Sequence, residues 1–170
     1  MSAADSSVFP SVHAESVQRF CRLVDSGDEV LSACSPAEAT ALLATDESVL
    51  FSRLVALRLA LPASVNLSRL LRKKPALLLS STCAEAAEVA IPLLTEALGT
   101  RVDLLPALLL SSPTLLLEPQ SLEIALQQLK RLVPSITTSR ALDVLADGGE
   151  TMSLLQTPSG RKPINDEYYT

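Results

Sequence analysis

The chain has 170 residues, of which 48% are hydrophobic, 3% aromatic and 19% charged, with three Cys, one His and no Trp. That length suits one compact domain or one short repeat array, the apolar content excludes a wholly disordered chain, and three cysteines cannot staple a disulfide-dense secreted scaffold. A net charge of −5 argues against broad adhesion to nucleic acid or to anionic membranes.

Read from the N-terminus, the pattern is helical nearly throughout, and no alternating run of β-branched residues competes with it. Ser11 is placed to cap a helix with Val12, Val17, Phe20, Leu23 and Val24 on one side, and Gly27 to end it. A short helix over 28–33 follows. Ser35-Pro36 opens another, with Glu38 in capping-box spacing and Pro36 at the first helical position, where proline is tolerated. Thr45 or Asp46 caps a longer helix in which Val49, Leu50, Leu54, Leu57 and Leu61 recur at threes and fours, stopped by Pro62. Asn66 starts a helix with Leu67, Leu70 and Leu71 as its apolar stripe. Thr82 precedes a helix to Leu98 closed by Gly99, with Pro92 expected to kink or break it. Further helices are expected over 102–110, from Glu118-Pro119 to Val133, and from Ser135 to Ala146 with Gly148-Gly149 behind it.

Short connections favour antiparallel neighbours, and the text repeats. Lys74-Pro75-Ala76-Leu77-Leu78-Leu79 superposes on Ser112-Pro113-Thr114-Leu115-Leu116-Leu117 at an offset of 38. The same step forward reaches Thr151-Met152-Ser153-Leu154-Leu155, where the Leu pair persists without proline, and a step of 39 backward reaches Ser35-Pro36. A two-helix unit cannot bury its stripe alone, so the expected fold is all-α, with about three to four stacked helical hairpins of 38 residues forming an α-solenoid. The expected boundaries are capping helices over 1–34, repeats over 35–155, and an extended or disordered tail over 156–170.

The charge is unevenly placed. Residues 1–47 carry Arg19 and Arg22 against eight acids, whereas residues 48–84 carry Arg53, Arg58, Arg69, Arg72, Lys73 and Lys74 with no acid at all. Such a band can contact phosphates, in which case affinity falls with salt, or an acidic protein surface; equally, cations at a helix end complement its dipole. No aromatic residue interleaves the band, so stacking on unpaired bases is not supported.

Catalytic signals are nearly absent. His13 is the single His, near the N-terminus, and no CxxC, HExxH, GxGxxG or P-loop spacing occurs. Cys21, Cys34 and Cys83 read as small core side chains kept reduced, so neither a metal nor another cofactor is expected. The greasiest run, 104–117, is too short for a membrane span and is interrupted by Pro106 and Pro113. Both tyrosines sit in the tail, where Ile164, Tyr168 and Tyr169 form a candidate docking peptide.

The stretch Arg72-Lys73-Lys74-Pro75-Ala76-Leu77-Leu78, then Leu93-Leu94-Thr95-Glu96-Ala97-Leu98-Gly99, then Val102-Asp103-Leu104-Leu105 and Ser112-Pro113-Thr114-Leu115-Leu116 resembles the repeat of the mitochondrial transcription termination factor (mTERF) family. The resemblance covers 66–118 reasonably and 30–155 loosely. It implies a superhelix of paired helices and short 3₁₀ turns, acting on organellar DNA, RNA or ribosomes in mitochondria or chloroplasts, with Arg69, Arg72, Lys73 and Lys74 at the end of a groove-lining helix. No transit peptide is visible, and without the resemblance a cytoplasmic protein is expected. The short array, acidic balance and missing last proline depart from the family and suggest a reduced member with a structural or docking role. Two functions follow: a non-enzymatic accessory subunit touching organellar RNA or ribonucleoprotein, or an adaptor that packs against other protein subunits without nucleic-acid contact.

Overall fold

Side-chain caps fix the starts of four of the described helices. In the computed structural model, which describes residues 11–148 with side chains from Ala14 onward, the chain is all-helical among the described residues. Helices α1 (Ser11–Leu23), α2 (Gly27–Ala33), α3 (Pro36–Ala44), α4 (Glu47–Ala60) and α5 (Leu67–Lys73) come first. After them come α6 (Cys83–Leu98), α7 (Leu105–Ser111), α8 (Ser121–Leu132) and α9 (Thr138–Asp147). Glu38 closes the expected capping box on α3: its own N–H donates to Ser35 Oγ, while its carboxylate accepts from the Ser35 N–H at 2.8 Å. Asp46 caps α4, accepting from the Ser48 N–H at 2.8 Å, and Asn66 caps α5, accepting from the Arg69 N–H at 2.9 Å.

The two matching sequence anchors are the same piece of structure. Pro75–Leu78 and Pro113–Leu116 each form a 3₁₀ turn, entered through Lys74 at φ −143°, ψ 80° and Ser112 at φ −139°, ψ 83°. Each buries its proline and its paired leucines, Leu77-Leu78 and Leu115-Leu116. The backward step does not continue this geometry, because Pro36 begins an ordinary α-helix. The forward step, at residues 151–155, lies outside the described residues.

Short helices pack on short helices in chain order: α2 on α5, α5 on α7, and α7 on α9. Beside them α1 packs on α4 and α4 on α6, while α8 closes on α9. The two turns sit under the long helices, Pro75–Leu78 against α4 and Pro113–Leu116 against α6. The core between is one cluster of leucine, valine and alanine with Phe20 as its one described aromatic. The apolar run 104–117 supplies its centre through Leu105, Leu108, Leu109, Leu115 and Leu116. No helix among the described residues is long and apolar enough to cross a membrane.

Four local expectations are corrected. Gly27 opens α2 instead of ending α1, and Ser26 takes the left-handed conformation at φ 59°. Glycine is needed at 27 for space: a Cβ there would lie 2.8 Å from the Cys21 α-carbon. Pro92 does not break α6, since it stands on the exposed face together with Glu88, whose carbonyl loses its helical partner where water reaches it. The expected helix 102–110 is instead a 3₁₀ stretch, Gly99–Leu104, followed by α7, with Pro106 in its tolerant first turn. Finally, α8 and α9 begin later than expected: Pro119 stays in the preceding turn, and Thr137 caps α9 by accepting from the Arg140 N–H at 3.3 Å.

Leu78 and Leu116 are both fully buried. Replacing either with Ala should lower unfolding free energy by about 2 to 5 kcal/mol in urea titrations. Gly27→Ala should also destabilise, because the contact it would meet is backbone. Hydrogen bonds from Ser35 hold the Glu38 carboxyl below its ordinary value of 4.5, and those from Ser48 lower Asp46 from 3.8. Depressed folded-state pKa values give stability that is present above the ordinary carboxylate range and lost as pH falls through the folded values. The thermal midpoint should therefore drop on acidification below about pH 4, and less steeply in Glu38→Gln/Asp46→Asn.

Candidate binding surfaces

The cationic band divides into two populations. On α4, Arg53 Nη1 donates to the Leu78 and Leu79 carbonyls at 2.8 and 3.1 Å, closing the end of the first 3₁₀ turn. Arg58 donates to the Val65 carbonyl at 2.8 Å and the Pro62 carbonyl at 3.1 Å, holding the loop between α4 and α5. These two partly buried guanidiniums bond backbone carbonyls at helix ends and turns, that of Pro62 also accepting from the Val65 N–H, so they are anchors of the fold.

The others project from α5 and the residue after it. Burial of Leu70 and Leu71 turns the opposite side of α5 outward, and Arg69, Arg72 and Lys73, at i, i+3 and i+4, share that side. They form one wall of a cleft of about 610 Å³, with Leu110 and Ser111 of α7 and Asp147 of α9 opposite. The Ser111 hydroxyl lies 3.0 Å from the Leu108 carbonyl and 3.2 Å from that of Leu145, tying α7 to α9 at the cleft floor. Arg72 is ion-paired with Glu29 of α2. Arg69 and Lys73 are exposed and make no ion pair with a described residue. Lys74 stands at the entry to the 3₁₀ turn, where its charge helps to lower the Glu38 carboxyl, after the larger contribution of the Ser35 hydrogen bonds. The band thus narrows to three α5 cations in a cleft.

A second surface is apolar. α4 buries Leu50, Leu54 and Leu57 yet carries another stripe, Phe51, Val55 and Leu59, spaced four residues apart on its outer side. Phe51 is 57% and Leu59 81% exposed. With Leu23, Leu67 and Leu71 they line an open groove of about 320 Å³ between the end of α1, α4 and α5, bordered by Asp25 and Ser68. Its signal was present in the sequence as a helix apolar on two sides, but the buried stripe drew the reading.

Other chemistry is sparse. Burial raises the pKa of Cys83, Cys34 and Cys21, helped at Cys34 by Glu38 and at Cys21 by Asp28, so none is poised as a thiolate. Among the described residues no group of three His, Cys, Asp or Glu side chains could hold a metal ion. Arg101, unremarked in the sequence, joins the 3₁₀ stretch to α9: it pairs with Asp143 at 2.7 Å, touches Ser139 and lies 3.5 Å from Asp103. Its hydrogen bond to Asp143 contributes most to holding its pKa above the ordinary value. The His13 side chain and the candidate docking residues Ile164, Tyr168 and Tyr169 lie outside the described residues.

Comparison with known proteins returns no matching family model, no matching curated protein and no matching solved structure.

The two arginine populations should separate by stability. Arg53→Ala or Arg58→Ala strands part-buried carbonyls and should cost about 1 to 3 kcal/mol, whereas Arg69→Ala should stay within about 0.5 kcal/mol of wild type; chemical denaturation of the three variants measures the difference.

Proposed function

We propose that this chain is a non-enzymatic helical-repeat binding protein, an adaptor subunit that seats a protein partner on the outer side of its long helices. The observation that carries this reading is the groove beside Phe51, Val55 and Leu59, a contiguous apolar surface on a chain that has a complete core beneath it. Surfaces of this kind mark sites where another apolar face is buried, and an amphipathic helix fits such a groove through residues at threes and fours. Exposed Val89 and Leu93 on α6 and Ile124 and Leu132 on α8 add apolar area on the long helices.

The stacking itself is read as a short solenoid. Two matching 3₁₀ turns 38 residues apart and a row of short helices packed in chain order support that reading. The mTERF-like text points the role toward organellar gene expression, in mitochondria or chloroplasts, as a structural subunit of a larger assembly.

A second reading, contact with RNA or ribonucleoprotein, is favoured by one observation: Arg69, Arg72 and Lys73 converge on a common cleft. It is the weaker of the two, since Arg53 and Arg58 are spent on backbone carbonyls, Arg72 is paired with Glu29, and no aromatic among the described residues lines the cleft for base stacking.

Purification of the natural complex from its own cells separates the two. Val55→Asp/Leu59→Asp should release the protein partner while helical content and thermal midpoint stay at wild-type values, and Arg69→Glu/Lys73→Glu should leave it bound. Retention of the partner by the groove variant overturns the adaptor reading. Salt-sensitive RNA binding abolished by the charge reversal would put the cleft in its place.

A further inference from the structure

The α5–α7–α9 cleft has a feature that the groove lacks: the chain itself leaves from its wall. Asp147 and Ala146 line the cleft at the end of α9, and the polypeptide continues beyond Gly148 for 22 residues. Within that stretch residues 164–169 read Ile-Asn-Asp-Glu-Tyr-Tyr, with two acids and no base, while Arg161 and Lys162 precede them. From Gly148 the intervening residues can span on the order of 50 Å when extended, so reach does not restrict where the hexapeptide sits.

We infer that residues 164–169 bind in this chain's own cleft, with Asp166 and Glu167 against Arg69 and Lys73 and with Ile164 and the tyrosine rings on Leu110 and Ala107. Three facts converge on this occupant. The cleft pairs exposed cations of α5 with apolar side chains of α7, a combination that an acidic, aromatic peptide complements on both counts. α5, α7 and α9 all bring their C-terminal ends to the cleft through Lys73, Ser111 and Asp147. Helix C-terminal ends carry carbonyls without helical partners, to which a phenol can donate, while their partial negative charge and Asp147 work against a carboxylate, so this part of the cleft suits the tyrosines and the acids fall to Arg69 and Lys73. Tethering completes the case: a short linker holds the peptide at an effective concentration of about millimolar, so even weak contacts keep the cleft filled. The inference does not rest on the groove reading, and any anionic partner of the cleft must displace this peptide.

The chain carries its own probe. Its two tyrosines are Tyr168 and Tyr169 and it has no tryptophan, so intrinsic fluorescence reports the tail alone. In the full chain at low salt, the acrylamide quenching constant should be at least twofold lower than in Arg69→Glu/Lys73→Glu or in Asp166→Asn/Glu167→Gln. It should rise toward those values as salt is added, and fall again when Asp166→Lys/Glu167→Lys is combined with the reversed cleft. Protection should be independent of protein concentration and unchanged in Leu59→Asp. The Asp166→Asn/Glu167→Gln change lies outside the helical body, so its readout does not depend on α5 tolerating new charges. Equal quenching in wild type and both single-sided variants overturns the inference, as does protection that survives reversal of the cleft. Protection that grows with protein concentration would assign the cleft to the tail of a second copy and overturns it equally.

Discussion

The geometry of this protein depends on how two short turns are buried. Each consists of a proline and two leucines, and each is wedged beneath a long helix, Pro75–Leu78 under α4 and Pro113–Leu116 under α6. Proline, lacking an N–H and forcing the residue before it out of the helical region (ψ 80° at Lys74, 83° at Ser112), ends the preceding short helix, and the leucines insert into the core almost wholly buried. Around these turns the short helices pack in chain order, α2 on α5, α5 on α7 and α7 on α9. Each apolar CH₂ buried contributes roughly 0.8 kcal/mol, which outweighs the poor helix propensity of the Ser, Thr and Pro residues around these anchors. The row then determines what else can exist: the cleft is the outer side of α5, α7 and α9, and the groove lies where α4 faces away from its neighbours.

The starts of α3, α4 and α5 were legible in the sequence because capping is a local interaction. Ser35 with Glu38, Asp46 and Asn66 act within three residues of themselves, and the sequence pointed to Ser35 and Asn66 outright and to Asp46 as one of two neighbouring caps. The all-α class and the 38-residue echo were legible for similar reasons, since both rest on periodicity. Gly27 was misread because its requirement is tertiary: the neighbour that excludes a side chain there is Cys21 on the preceding helix, which nothing in the local text reveals. That Pro92 leaves α6 unbroken has a related reason, as the cost of a missing N–H depends on whether the orphaned carbonyl faces water.

The site was legible only in part. A run of six cations without an acid looks like one surface in a linear text, but a guanidinium is also the side chain best able to gather several backbone carbonyls. Arg53 and Arg58 do so 25 and 7 residues away from themselves, and only α5, with Leu70 and Leu71 buried on its other side, presents its charges together. The groove is the converse case. Phe51, Val55 and Leu59 share a helix with the core stripe, and a count of apolar residues cannot divide them between inside and outside until α6 is seen to cover one side of α4 and leave the other bare.

Pro92 has a mechanical corollary. It interrupts the hydrogen-bond ladder of the longest described helix on its solvent side only, while Ala87, Ala90 and Leu94 keep the inner side tightly packed. A rod weakened along one edge has a preferred direction of bending. Strain applied to the molecule should therefore concentrate at the middle of α6, where bending costs least on the side that carries Pro92.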